Sequence, residues 1–146
     1  GFEIGLKAKL SRQLNLISQY SIIGGTEENE GIEVPVRHVS PSFGNTHLVW
    51  DNKRLKIDVF ANYNGALSFN KLAPSEIEKD YLYASDENGN PYAPSWYTLN
   101  LRTQYRVGKT LLSAGLENIT NQRYRTYSSG IAAPGRNLIL SLNYSF

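Results

Sequence analysis

Few side chains in this sequence have the types and spacing that chemistry requires. The chain has two histidines, His38 and His47, and no cysteine. No nucleophile with a base, no cluster with metal-ligand spacing and no phosphate-binding glycine loop occurs along it. The residue pattern therefore predicts a protein that is not an enzyme and that has no resident cofactor.

Acidic residues gather in two stretches that are predicted to be loops. The run from Asp86 to Asn90 superficially resembles a calcium loop, but it lacks the spaced ligands and the closing glutamate. We interpret it as a turn around Asn88 and Gly89. Four glutamates could bind a cation, although solvated loop charge is the simpler interpretation: Glu27, Glu28, Glu30 and Glu33. A formal charge of +2 without a basic run argues against a nucleic-acid partner.

Seven stretches alternate apolar and polar residues with a period of two, which predicts seven β-strands. They cover residues 1–10, 14–23, 42–50, 55–64, 96–107, 110–119 and 135–146. Most are close to the ~9–11 residues with which a strand spans a bilayer, whereas soluble strands more often run ~5–6. No apolar run is long enough to predict a transmembrane helix.

The two faces of the predicted strands differ in charge. When the last strand is taken to begin at residue 137, one of the two faces carries no Asp, Glu, Lys or Arg. The charged residues of the opposite face are Glu3, Lys7, Lys9, Lys56, Asp58, Arg102, Arg106 and Glu117. Such a division suits strands with lipid on one side and a wet lumen on the other. Since soluble cores also exclude charge, a soluble sheet stays open as an alternative here.

The connections between the strands alternate between short and long. Short turns follow the first, third and fifth strands, and long loops follow the second, fourth and sixth. Outer-membrane barrels have this arrangement, with short periplasmic turns and long extracellular loops. In the second long loop, Ser75 and Glu78 resemble a capping box and predict a short helical turn. Aromatic residues of the uncharged face would form one girdle near each end: Trp50, Tyr105, Tyr144 and Phe146, and Phe2, Tyr20, Tyr63 and Tyr97.

Seven strands do not make a complete barrel. A bacterial barrel formed by one chain has an even number of strands, and an open sheet in lipid would leave two unpaired edges. The sequence also begins at Gly1, without an initiator methionine or a signal peptide. We therefore expect the chain to be part of a longer polypeptide that supplies the other strands.

The end of the sequence resembles the C-terminal signature of TonB-dependent outer-membrane receptors. In that family a penultimate strand ends in a phrase like G-x-x-N-L-x-(D/N)-x-x-Y. A loop follows, then A-P-G-R opens a last strand that ends on phenylalanine. The matching residues here are Asn118, Ile119, Asn121, Tyr124, Pro134, Gly135, Arg136 and Phe146. Ile119 for leucine and Asn121 for aspartate are mild departures.

The resemblance implies an all-β fold, an antiparallel transmembrane β-barrel of which these would be the last seven of 22 strands. A plug domain and a TonB box would lie upstream. It implies a bacterial outer-membrane receptor for active uptake of a scarce nutrient, such as haem, an iron–siderophore or a cobalamin. The partners would be outer-membrane lipid, the other barrel strands and plug, the TonB complex, the barrel-assembly machinery and a surface lipoprotein. The assembly signal would be Leu138, Leu140, Leu142, Tyr144 and Phe146.

Three residues are candidates for contact with the ligand or the plug. Arg102 and Arg106 share the lumen face, where they could contact an anionic ligand or pair with plug carboxylates. His38 lies in a loop, where an axial haem ligand is conceivable and an ordinary polar residue near the rim is the simpler interpretation. We expect His47 to be a polar wall residue. Gly135 and Arg136 would fix the geometry between loop and strand, with Arg136 reaching a carboxylate such as Glu117.

Two other functions stay open. The chain could belong to another outer-membrane barrel, such as a porin or an adhesin. It could also be a soluble lipid-binding β-barrel, with the charged face outside and the Leu/Tyr face inside, but such a fold gives no reason for the assembly-type ending.

Overall fold

The computed structural model describes the backbone of residues 1–146 and every side chain except that of Asp80. Its main element is a seven-stranded antiparallel sheet in which neighbouring strands follow one another along the chain. The seven strands are β1 (Phe2–Lys9), β2 (Leu14–Ile22), β5 (Phe43–Asp51), β6 (Leu55–Asn64), β9 (Trp96–Val107), β10 (Thr110–Glu117) and β11 (Asn137–Tyr144). These bounds lie within two residues of those expected from the sequence. The all-β, antiparallel prediction is confirmed.

The long loops contain short elements, most of which the sequence pattern did not show. The loop between β2 and β5 folds back as a hairpin of β3 (Thr26–Asn29) and β4 (Ile32–Pro35). The loop between β6 and β9 contains α1 (Pro74–Ile77), two 3₁₀ turns, and a hairpin of β7 (Ala84–Ser85) and β8 (Pro91–Tyr92). Strands this short carry no usable alternation, which explains why they were missed.

The predicted capping box at Ser75 is wrong, although the predicted helical turn is present. Pro74 occupies the first helical position, so Ala73 is the residue that caps the helix, and it provides no side-chain hydrogen bond. Ser75 therefore lies inside the helix, where it cannot cap the first turn. Proline suits this position because its missing N–H would have no partner within the helix.

The turn predicted at Asn88 and Gly89 is confirmed. Asp86 Oδ1 accepts hydrogen bonds from the backbone N–H groups of Asn88 and Asn90, both at 2.8 Å. Gly89 has φ +81°, a left-handed conformation that glycine adopts without steric cost. The Asp86 carboxylate thus closes the β7–β8 hairpin.

The strand register confirms that the uncharged positions form one continuous face, here called the apolar face. Paired residues of antiparallel strands point to the same side. Leu16 of β2 pairs with Leu48 of β5, and Leu48 pairs with Val59 of β6. Val59 pairs with Leu101 of β9, which pairs with Leu116 of β10. The same row continues to Leu138 of β11.

The chain does not cover this apolar face itself. Leu140 is 72% exposed and Leu6 is 53% exposed. The few buried apolar residues of the described chain are Phe60, Leu72, Ala73 and Ala93, which lie on the opposite face or in the second long loop. The sheet is therefore a wall with no second layer packed on its apolar side. No described helix has the length and hydrophobicity needed to cross a membrane.

Candidate functional site

The wall has two distinct ends. The short turns lie at one end, here called the turn end, and the three long loops lie at the other, here called the loop end. The first, second and third loops are residues 23–42, 65–95 and 118–136. The face opposite the apolar face, here called the polar face, carries most of the charged strand residues. A site for a water-soluble ligand would use the polar face, the loop end, or both.

Asn118 organises the third loop. It has φ +47° and is 3% exposed. Its side-chain amide nitrogen donates to the carbonyls of Gln122 at 2.8 Å and Pro134 at 3.1 Å, and its side-chain oxygen accepts from the Gln122 N–H. Its backbone N–H donates to Asn100 Oδ1 at 2.9 Å. Asparagine tolerates the left-handed conformation and offers both donors and an acceptor. One side chain thus joins the start of the loop to its end.

Gly135 and Arg136 close the same loop. A Cβ on Gly135 would lie 2.7 Å from Asn121 Oδ1, which itself accepts the Arg136 N–H at 3.0 Å. The side chain of Arg136 donates from Nε to the Ile119 carbonyl at 3.0 Å. The predicted contact between Arg136 and Glu117 is therefore wrong, because Glu117 lies 3.6 Å from Arg102 instead.

Tyr124 connects the third loop to the wall. Its ring lies 4.2 Å from that of Trp96, the first residue of β9, with a tilt of 31° between the planes. Contacts of this kind between aromatic rings stabilise by about 1 kcal/mol beyond the area they bury. The signature residues Asn118, Tyr124, Pro134, Gly135 and Arg136 therefore share a structural task, which is to shape the third loop and hold it against β9.

A charged network crosses the middle of the polar face. Asp58 of β6 and Arg102 of β9 are register partners. His47 Nδ1 lies 3.0 Å from both carboxylate oxygens of Asp58, and its ring stacks on Phe60 at 4.8 Å. The Arg102 guanidinium lies 5.4 Å from the centre of the Phe60 ring. The expectation that His47 belongs to the polar wall is confirmed.

The structure does not bring Arg106 into this network. Arg102 Nη2 lies 3.6 Å from Glu117, and the Arg102 side chain is 53% exposed. Arg106 lies near the turn end, opposite Leu111, and makes no ion pair within the described part of the chain. Both arginines are accessible on the polar face, so contact with a ligand or plug stays a prediction for each.

The most buried charge of the described chain is at the loop end. Glu76 of α1 has no exposed surface. Its Oε1 lies 3.1 Å from Arg37 Nε, 3.1 Å from His38 Nε2 and 3.6 Å from Lys79 Nζ. Its Oε2 accepts hydrogen bonds from the Tyr83 hydroxyl at 2.5 Å and the Ser128 hydroxyl at 3.2 Å. We call this carboxylate and its five partners the Glu76 hub.

The Glu76 hub joins all three long loops. Arg37 and His38 belong to the first loop, Lys79 and Tyr83 to the second, and Ser128 to the third. A buried carboxylate is stable only when it is paired and hydrogen-bonded. Because the required partners come from three separate segments, the hub stabilises one mutual arrangement of the loops.

The hub changes the acidity of its own members. Burial by itself raises the pKa of Glu76, but the hydrogen bonds from Tyr83, Arg37 and Ser128 outweigh burial and lower that pKa from 4.5 to about 2. Burial and the hydrogen bond to Glu76 raise the pKa of Tyr83 well above its usual range. Glu76 is therefore an anion and Tyr83 a neutral donor at neutral pH, as their hydrogen bond requires.

His38 is placed by the hub. It adopts φ +61°, and its Nε2 points to the Glu76 carboxylate. The Nε2 of His38 is engaged with Glu76, and its Nδ1 makes no hydrogen bond within the described part of the chain. The predicted loop position of His38 is observed. An axial ligand needs one free ring nitrogen, so the use of His38 as a haem ligand stays a prediction.

Two cavities flank the hub. The wall cavity, of about 550 Å³, lies between the polar face at the loop end and parts of the first and third loops; it is lined by His38, Asn45, Asn62, Trp96 and Tyr127, among others. The loop cavity, of about 410 Å³, lies between the second and third loops and includes Tyr83, Arg123 and Arg125. Trp96 and Ser128 line both. Cavities of this size suit small ligands.

The residues of the expected assembly signal lie at one edge of the sheet. All of them are exposed, with Phe146 following the end of β11 and its ring 5.2 Å from that of Tyr144. They share the apolar face of the edge strand: Leu138, Leu140, Leu142, Tyr144 and Phe146. Their recognition by assembly machinery stays a prediction.

Comparison with family models and with curated proteins finds no match for this sequence. Solved structures do match. The copper transporter OprC superposes with a TM-score of 0.78 and 17% identity, over 99% of this chain and 22% of that chain. The siderophore receptor PiuA from Acinetobacter baumannii superposes with a TM-score of 0.62 and 18% identity, over 97% of this chain and 21% of that chain.

The ferric enterobactin receptor PfeA from Pseudomonas aeruginosa gives a TM-score of 0.69 and 19% identity, over 99% of this chain and 22% of that chain. The present chain thus spans about a fifth of the length of these structures. They are TonB-dependent receptors, and the seven-stranded sheet has the fold of a fragment of their barrels. At these identities the likeness establishes the fold.

Proposed function

We propose that this chain forms the C-terminal part of the barrel wall of a TonB-dependent outer-membrane receptor that takes up a scarce nutrient. The observation that carries the proposal is the apolar face, which is free of charged side chains across all seven strands and contains no buried residue. A wall of this kind is stable with lipid on that face and water on the other. The fold shared with OprC, PiuA and PfeA supports it.

The same proposal predicts what lies next to each part of the chain. The missing strands would pair with the edge strands β1 and β11. The plug would occupy the lumen beside the polar face. The turn end would face the periplasm, where the TonB complex supplies energy, and the loop end would face the medium and a possible surface lipoprotein. The barrel-assembly machinery would engage β11. Haem, iron–siderophores and cobalamins are the nutrients that the family resemblance suggests first.

The proposal is tested on the intact parent protein, purified from the outer-membrane fraction of its own cells. The probe is the periplasmic domain of TonB from the same organism, immobilised on a sensor surface. We expect saturable binding that is lost when the N-terminal segment of the receptor preceding the plug is removed. A matched passive porin from the same membrane serves as the negative control.

Two results would contradict the proposal. Recovery of the parent protein in the soluble fraction would favour the lipid-binding alternative. Recovery in the outer membrane without any binding to TonB, together with nutrient entry that a protonophore does not slow, would favour a porin or an adhesin.

A further inference from the structure

From β5 to β10 the polar face is divided into a charged region and a neutral region. Asp58, Arg102 and Glu117 lie towards the middle and Arg106 near the turn end. At the loop end the rows across β5, β6 and β9 consist of amide, hydroxyl and aromatic residues. Asn45 pairs with Asn62, and Asn62 pairs with Thr98. Asn64 pairs with Trp96 in the next row. The wall cavity is built on these rows.

No formal charge on the described residues is available inside the wall cavity. Its lining includes no Asp, Glu, Lys or Arg among the residues the structure describes, and its one basic side chain, His38, is engaged with Glu76. The neighbouring cations Arg37 and Lys79 also pair with Glu76. A charged ligand group would lose its hydration there without gaining a counter-ion, which is costly.

The wall cavity does offer unused hydrogen-bonding groups. Within the described part of the chain, the side-chain amides of Asn45 and Asn62 make no hydrogen bond, and each provides two donor hydrogens and an acceptor oxygen. Trp96 Nε1 is buried and likewise has no partner among the described residues. A buried N–H without an acceptor is unfavourable. Because this N–H has almost no accessible surface, the two amides are the donors and acceptors that a ligand in the cavity can reach.

Aromatic surface completes the lining. Phe43, Trp96 and Tyr127 all border the wall cavity. Rings of this kind pack against apolar C–H surfaces, and Trp and Tyr add a polar group at the edge. Amides that both donate and accept, next to aromatic rings, match a ligand whose hydroxyl groups alternate with C–H faces. The chain offers no soft metal ligand, since it has no Cys and no Met.

We propose that the wall cavity binds an uncharged, hydroxyl-rich ligand of the oligosaccharide class, an inference that rests on the uptake function proposed above. The amides of Asn45 and Asn62 hydrogen-bond its hydroxyl groups, and the rings of Trp96 and Tyr127 pack against its C–H faces. The ligands named for the structural neighbours, copper and ferric enterobactin, belong to those proteins.

The test uses the full-length receptor in detergent and two probe pools of equal chain length. One pool contains neutral gluco-, galacto-, manno- and xylo-oligosaccharides, and the other contains oligouronates, in which carboxylates replace hydroxymethyl groups. Affinity mass spectrometry identifies the bound members, and calorimetry gives their Kd. We expect members of the neutral pool to bind and the oligouronates to bind at least about tenfold more weakly, since a buried ionic group without a partner is costly.

Matched variants locate the binding. Asn62→Leu removes the amide at nearly constant volume and should weaken neutral binding about tenfold, the effect expected for lost hydrogen bonds to a desolvated ligand. Asn15→Leu is the control, because Asn15 lies on the same polar face near the turn end, opposite Val49. It should change the Kd by less than about twofold.

Each other result overturns the proposal. These results are no binding from the neutral pool, preferential binding of oligouronates, or neutral binding that Asn62→Leu leaves unchanged. A receptor that binds the TonB domain and prefers oligouronates would retain the uptake function and lose the ligand class. A protein that binds neither the TonB domain nor any probe would lose both.

Discussion

The two ends of the wall are held together in different ways. At the turn end the contacts are local: Ser11 Oγ accepts from the Leu14 N–H at 3.1 Å, and Asn52 Oδ1 accepts from the Leu55 N–H at 2.8 Å. At the loop end Glu76 binds Arg37 and Ser128, which are 39 and 52 residues away along the chain. The turn end therefore follows from short sequence signals, whereas the mutual arrangement of the three loops uses a buried charge whose partners are distant in sequence.

This difference indicates which contacts of the molecule can open while the sheet stays folded. Local turns re-form with the strands they join, because their partners are never far apart. The loop end can open while the sheet stays intact, since the Glu76 hub connects only loop residues. The predictions below test this separation, from the largest expected effect to the smallest.

The largest effect is expected for Glu76→Gln. This change removes the negative charge at nearly constant shape and leaves Arg37 and Lys79 without a counter-ion. Breaking a buried ion pair can cost about 3–5 kcal/mol, and we expect the lower end of this range because the Arg37 side chain is 50% exposed. Hydrogen exchange should accelerate in all three loops, with little change in the strands. Glu87→Gln, an exposed glutamate of the same loop, should leave exchange unchanged.

Acid should reproduce the opening of the loop end. The pKa of Glu76 is lowered from 4.5 to about 2 in the folded loops, so the stabilisation by its carboxylate is present above 4.5 and is lost as the pH falls through about 2. The shift corresponds to about 3 kcal/mol at most. Hydrogen exchange measured between these pH values, corrected for intrinsic rates, should show the loops opening. The Glu76→Gln variant should lack this transition, and an equal transition in both proteins would contradict the assignment.

A smaller effect is expected in the wall itself, for Gly44→Ala. Gly44 lies between Tyr20 and Tyr63 in the register, and an added Cβ would approach the Gln19 carbonyl oxygen and lie 2.7 Å from Tyr63 Cε2. Overpacking of this kind costs about 1–3 kcal/mol. The midpoint of urea unfolding of the intact protein in vesicles should fall. Gly5→Ala in β1, where no atom lies within 4 Å of the added Cβ, should have a smaller effect.

The smallest effect is expected for Arg102→Gln on the polar face. Arg102 is half exposed and lies 3.6 Å from Glu117, and exposed ion pairs contribute only about 0–1 kcal/mol. Urea unfolding should change by less than about 1 kcal/mol, close to the change for Arg106→Gln. A loss of several kcal/mol for Arg102→Gln alone would mean that the network through Asp58 and Phe60 stabilises the wall more than its exposure suggests.

The wall could be predicted from sequence because its apolar and polar residues alternate with a regular period. Alternation sets the face of every strand residue, and the order of short and long connections sets the antiparallel pairing. The placement of Leu16, Leu48, Leu101 and Leu138 on one face follows from those two features. The left-handed residue Asn118 was found through its motif, and its hydrogen bonds now supply the physical reason.

The loop end could not be predicted, because its contacts follow no period along the sequence. Glu76 lies in a short polar run whose composition is typical of a solvated helical turn. Nothing near it in the sequence indicates that its side chain is buried. More conspicuous acids, Glu27 and Glu28, are exposed. The partners of Glu76 come from three loops, and a single sequence carries no signal of such contacts. The wrong pairing of Arg136 with Glu117 has the same origin, because the backbone carbonyl of Ile119 was the available acceptor.

The central claim is that the apolar face meets lipid and the polar face meets water. It is tested most directly by nitroxide labels placed singly along β9 of the intact protein in lipid vesicles. The positions are Leu99→Cys, Leu101→Cys, Arg102→Cys and Gln104→Cys. Oxygen, which concentrates in lipid, should relax labels at 99 and 101 more strongly, and a water-soluble nickel chelate should relax labels at 102 and 104. Uniform accessibility to the chelate, or alternation in the opposite phase, would contradict the account.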